Sequence, residues 1–89
     1  MKKYIIKSVC TATAENKNFA GEVHTYWHGK EDTLLGADAG TSLQIKLYDH
    51  MIGWYGYSRK CDAERNWSYR NPQNDKNWTT EVEIVEVEI

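Results

Sequence analysis

Among the 89 residues there is one proline, one phenylalanine and two cysteines, and each scarcity excludes something. Two cysteines allow at most one disulfide, whereas secreted domains of this size carry more, so Cys10 and Cys61 are expected to be free thiols. The absence of a CxxC pair, and of any spacing typical of a cofactor loop, leaves no expected metal or cofactor. No apolar run approaches the roughly eighteen residues of a membrane span. The opening MKKYIIKSVC begins basic and turns apolar, but Lys7 and Ser8 interrupt it before a secretory core could form. A soluble, cytoplasmic protein without membrane contact is therefore expected. A net charge of −2 lacks the basic field of a nonspecific nucleic-acid binder.

Apolar area comes instead from four Trp and six Tyr, enough for one small folded domain spanning residues 1–89. The segment Trp54 to Tyr69, WYGYSRKCDAERNWSY, dominates the middle of the chain. A helix is expected to start at Ser58, whose hydroxyl can cap a first turn, and to run through RKCDAERNW, which has no Gly, Pro or β-branched residue. Pro72 should stop it near Asn71. Such a helix, about three turns long, is marginal alone and must pack on something. Ala63 and Trp67 share one side, and Tyr57, Cys61 and Tyr69 share the other. Lys60 and Glu64 are spaced as an ion pair.

Four strands frame that helix. Tyr4 to Thr13 is rich in β-branched residues, AENKNFAG is turn chemistry, and Glu22 to His28 alternates. Lys30 to Thr41 reads as an irregular loop pinned by Leu34 and Leu35. Leu43 to Tyr48 alternates cleanly as a third strand. Asp49 and His50 mark a turn, and MIGWYGY fits either a short extra strand or an extended approach to the helix. After the polar loop NPQNDKN, Trp78 leads into the last strand, TTEVEIVEVEI. A bulge near Ile84 and Val85 would keep its aliphatic residues inward and Glu81, Glu83, Glu86 and Glu88 outward. Lys3 and Lys7 are the natural partners of that acidic row, which makes the terminal strands neighbours. The expected architecture is α+β: an antiparallel sheet of four or five strands with one helix across a face.

Candidate chemistry is thin. His24 and His28 are four apart, but on a strand that separation is about 13 Å, too far for one tetrahedral metal ion. Cys61 has Arg59 and Lys60 beside it, a setting that lowers a thiol's pKa, and His50 with Asp49 or Asp62 could complete a nucleophilic set. A small half-buried core thiol is the plainer account. Trp67 and Trp78 are expected in the core. Trp54, Tyr55, Tyr57, Arg59, Arg65 and Arg70 combine the residue types of protein-interface hot spots. The same types can stack on unpaired bases and hold phosphates. The row Glu81, Glu83, Glu86 and Glu88 could occupy a basic channel by charge complementarity.

The order GWYGYSRKCDAERNW followed by NWTTEVEIVEVEI resembles the helix and closing strand of short accessory proteins of phages and mobile elements, of the anti-CRISPR type. The resemblance implies a protein that binds a host nuclease complex and blocks it without catalysis. It assigns no role to any single residue. The expected function is thus a non-enzymatic binding protein whose partner is a host protein or nucleoprotein complex. A small nucleic-acid-binding module is the alternative, and a homodimer through an edge strand is a further possibility.

Overall fold

Ile5 and Ile6 are neighbours in a strand, and successive strand side chains point to opposite faces of a sheet. In the computed structural model, which describes residues 1–37 and 49–89, both isoleucines are fully buried at 0% exposure. The sheet is therefore covered on both sides. Burying each side chain stabilises the domain by about 2 kcal/mol, and the two contributions lie in separate cores.

The protein is α+β. Strands β1 (Lys2–Ala12), β2 (Val23–His28), β3 (Leu34–Ala37) and β4 (Trp78–Glu88) form one antiparallel sheet in the order β3-β2-β1-β4. The terminal strands are neighbours, as the lysines and glutamates of the sequence suggest. Their register runs unbroken from Lys2 opposite Glu88 to Ala12 opposite Trp78, so the expected bulge at Ile84 and Val85 is not there. The aliphatic phase of β4 changes because it serves both cores in turn. Val85 and Val87 pack with Ile5, Leu35 and Ile52. Val82 and Ile84 pack with Ile6, Tyr57 and Ala63.

The glutamates consequently do not share a face. Glu81 and Glu83 stand opposite Val9 and Lys7 on the Ile5 side, while Glu86 and Glu88 stand opposite Tyr4 and Lys2 on the Ile6 side. Lys7 pairs with Glu83 at 3.8 Å and Lys2 with Glu86 at 3.3 Å. Lys3 is not part of this row. It is buried, and its Nζ donates to Ser58 Oγ at 3.2 Å.

Helix α1 (Asp49–Tyr55) lies on the Ile5 face, and α2 (Lys60–Glu64) and α3 (Trp67–Arg70) lie on the Ile6 face. The chain changes sides at Tyr57. Where β2 has ended, Tyr57 takes the vacant place beside β1, exchanging two 2.8 Å backbone hydrogen bonds with Tyr4. This crossing is tight enough to require glycine. A Cβ at Gly56 would sit 2.5 Å from the Ile52 carbonyl oxygen, and one at Gly29 would sit 2.4 Å from that of Tyr55.

Local readings in the middle of the chain change accordingly. Asp49 and His50 open a helix instead of a turn, and MIGWYGY is largely that helix, with an extended step only at Tyr57. The single helix expected from Ser58 is two short ones, broken at Arg65 and Asn66. Asn66 caps α3 by accepting from the Ser68 N–H at 2.8 Å, which competes with helix continuation. Arg59, not Ser58, precedes α2, and its guanidinium takes Asp62 in place of a Lys60–Glu64 pair. The stretch expected to be irregular contains a tight turn at Lys30–Asp32, with Glu31 and Asp32 both at φ of 56°, and then β3, whose Leu35 is buried. The expected strand at Leu43 to Tyr48 lies outside the described residues.

Candidate functional site

The crossing at Tyr57 divides the aromatic and basic group. Trp54 and Tyr55 belong to α1 on the Ile5 face. Arg59, Arg65 and Arg70 belong to the α2–α3 segment on the other. Tyr57 itself is core, 9% exposed, and its Oη accepts from Asn66 Nδ2 at 2.6 Å. Burial raises its pKa above the ordinary tyrosine value, and the Asn66 bond opposes that rise only partly. It cannot serve as a contact residue.

Trp54 is 69% exposed although Ile52, two residues earlier, is 3% exposed. Its ring is held edge-on by His50 at 5.3 Å and by Tyr55 at 6.5 Å between centroids. Arg59 makes two hydrogen bonds to Asp62, of 3.0 and 3.2 Å, and Arg65 approaches the same carboxylate at 4.0 Å. Arg70 has no ion pair among the described residues.

A groove of about 370 Å³ opens on the Ile6 face beyond the helices. Tyr26, Cys10, Thr80 and Trp78 line its sheet side, and Trp67, Asn71 and Gln73 line the other. The segment that roofs it is tied down by its own polar side chains. Thr80 N–H donates to Asn74 Oδ1 at 2.6 Å, and the N–H groups of Asn77 and Trp78 both donate to Asp75 Oδ1. Trp67, expected in the core, is 56% exposed at this groove, and Trp78 is half-buried against His24 and Phe19. The signal for the groove lay in NPQNDKN, whose short amide and carboxylate side chains are suited to pinning a loop onto a strand.

His28 also lines the groove, with a buried Nδ1 that has no hydrogen-bond partner among the described residues. Desolvation lowers its pKa below the ordinary histidine value, against the pull of Asp32, so the ring is neutral at pH 7. Asp32, in turn, accepts a short hydrogen bond from Ser68 Oγ and thereby links the turn after β2 to α3.

Cys10 does not meet His28. It stands opposite His24 and four residues along β1 from Ile6, which is the partner of His28, a separation of about 13 Å. Its Sγ lies instead 3.5 Å from Thr80 Oγ1. Cys61 is an exposed free thiol rather than the half-buried core thiol expected, and the flanking Arg59 and Asp62 bind each other. No group of three or more metal-ligating side chains occurs among the described residues. No helix of the described residues is long and apolar enough to cross a membrane.

Comparison of the chain with protein-family models, with curated proteins and with solved structures returns no match.

Proposed function

We propose that this chain is a non-enzymatic binding protein that occupies the surface of a host protein or nucleoprotein complex in the cytoplasm, in the manner of phage and mobile-element inhibitors. The supporting observation is Trp54. An indole left 69% exposed on a helix whose Ile52 is buried contributes little to the core. Its contacts with His50 and Tyr55 limit its freedom before any partner arrives. A preorganised exposed Trp is the residue type that dominates interface energetics, because it offers large apolar area at small entropic cost. Inhibition then follows from steric occupation, and no covalent step is needed.

Affinity capture from the source cells with tagged wild-type protein and with Trp54→Ala tests this reading. The expected result is a defined nucleic-acid enzyme recovered by the wild type, inhibited by it in a cleavage assay, and lost with the variant. Identical recovery with both proteins would remove Trp54 from the interface, and no inhibition of the captured enzyme would end the inhibitor reading.

The alternative, a nucleic-acid-binding module, draws support from the groove, where Tyr26, Trp67 and Trp78 could stack on bases. Labelled single-stranded DNA and RNA decide it. Retardation that weakens steeply with salt and disappears with Trp67→Ala would promote this alternative over the inhibitor.

A further inference from the structure

Strand β4 is at the edge of the sheet, and its outer backbone is only partly closed. The Ile89 N–H donates to Met1 O, so the odd-numbered positions of β4 point their backbone groups at β1. The even-numbered ones point outward. At the start of the strand these outward groups are satisfied. Trp78 O accepts from the Asp75 N–H at 3.0 Å, and the Thr80 N–H reaches Asn74. From Val82 to Glu88 the outward groups meet no other described residue. The N–H and C=O of Val82, Ile84, Glu86 and Glu88 therefore form an open template for another strand.

We propose that this edge takes up an extended basic segment of a partner protein as an additional strand. The inference rests on the reading that the chain is a binding protein, and it names a second contact surface. The template is acidic on both faces, with Glu81 and Glu83 on the Ile5 side and Glu86 and Glu88 on the Ile6 side. The carboxylates of Glu83, Glu86 and Glu88 are 65%, 50% and 67% exposed, and each has one cationic neighbour within this chain. Glu81 has no ion pair among the described residues.

Charge decides which strand fits. A second copy of this chain would bring eight carboxylates onto one seam, and like charges across a strand pair repel. Lysine or arginine placed opposite each glutamate would attract. The glutamate spacing of two, three and two residues then specifies basic, apolar, basic, apolar, apolar, basic, apolar, basic in the incoming strand. That pattern reads the same in both directions, so it serves a parallel or an antiparallel partner. The apolar positions fall beside Val82, Ile84, Val85 and Val87 and extend both cores.

A fluorescein-labelled synthetic peptide with lysine at the four basic positions and valine or threonine between them is the probe, read by fluorescence polarisation. Saturable binding is expected, at least tenfold tighter than that of a peptide of equal composition in scrambled order. Glu86→Gln should weaken binding several-fold by removing one charge. Glu86→Pro should weaken it tenfold or more, because it also removes an outward N–H while leaving the pairing with β1 intact. Because the proline variant could misfold, amide exchange of the wild type gives an independent reading: the Val82, Ile84, Glu86 and Glu88 amides should slow when peptide is added. Equal binding of the scrambled peptide, no slowing at those amides, or self-association of the free protein through β4 would each overturn the proposal. Trp54→Ala should leave peptide affinity unchanged, which separates failure here from failure of the inhibitor reading.

Discussion

The two cores on either side of β1 are closed in different ways. The buried members on the Ile5 side, Ile5, Leu35 and Ile52, are all aliphatic. They need only shape to fit. On the Ile6 side a tyrosine and an alanine join Ile6, with Tyr4 and Tyr69 around them, and the Tyr57 hydroxyl needs Asn66. That face continues into a groove with aromatic walls. The difference teaches where this small domain can hold chemistry: the aliphatic side supplies cohesion, and the side built from aromatics and amides supplies polar groups in fixed positions.

The crossing that joins the two sides is the most sensitive place to break the comparison. Gly56→Ala and Gly29→Ala should each cost about 3 kcal/mol, because the new methyl meets backbone oxygen that cannot rotate away. Urea unfolding measures this. Gly21, with φ of 85° and open space around it, should tolerate alanine at a cost of only about 1 kcal/mol.

Asn66→Ala comes next, at about 2 kcal/mol, because it removes both the cap of α3 and the partner of Tyr57. The loss should appear in urea midpoints and as faster amide exchange confined to the Ile6 side. Ile5→Val and Ile6→Val should cost about 1 kcal/mol each. If the cores are independent, the double variant should be additive to within about 0.5 kcal/mol. A larger coupling would show that the two sides respond as one.

The smallest effect concerns pH. Burial holds His28 below its ordinary pKa of 6.5, so the native state takes up its proton less readily than the unfolded chain. The stability it contributes is complete above pH 6.5 and is lost as pH falls through the lowered value. Urea midpoints compared between pH 7 and pH 5 should fall more in the wild type than in His28→Gln. An equal fall in both would mean that the ring is solvated in the folded protein.

Strand content at both ends was legible because alternation is a local property. Lys3 and Lys7 set against the glutamate row imply that β1 and β4 are neighbours, and of the two only Lys7 meets a glutamate among the described residues, Glu83. The candidate site was less legible. Residue type alone groups Trp54, Tyr55 and Tyr57 in one patch, yet Trp54 is 69% exposed and Tyr57 is buried, since nothing local distinguishes Tyr57 from Tyr55. A helix continuous from Ser58 places Trp67 with Ala63 in the core, yet Trp67 is 56% exposed. The break at Asn66 turns it elsewhere.

Composition and residue order alone determined the α+β class, the pairing of the terminal strands and the acidic character of β4, since period-two patterns and charge are carried by the residues themselves. Only tertiary structure decided that the sheet has two covered faces and that its glutamates divide between them. Adjacent isoleucines can both be buried only if the chain passes from one side of the sheet to the other, and that passage depends on contacts at Tyr4, Gly29 and Gly56 far apart in sequence.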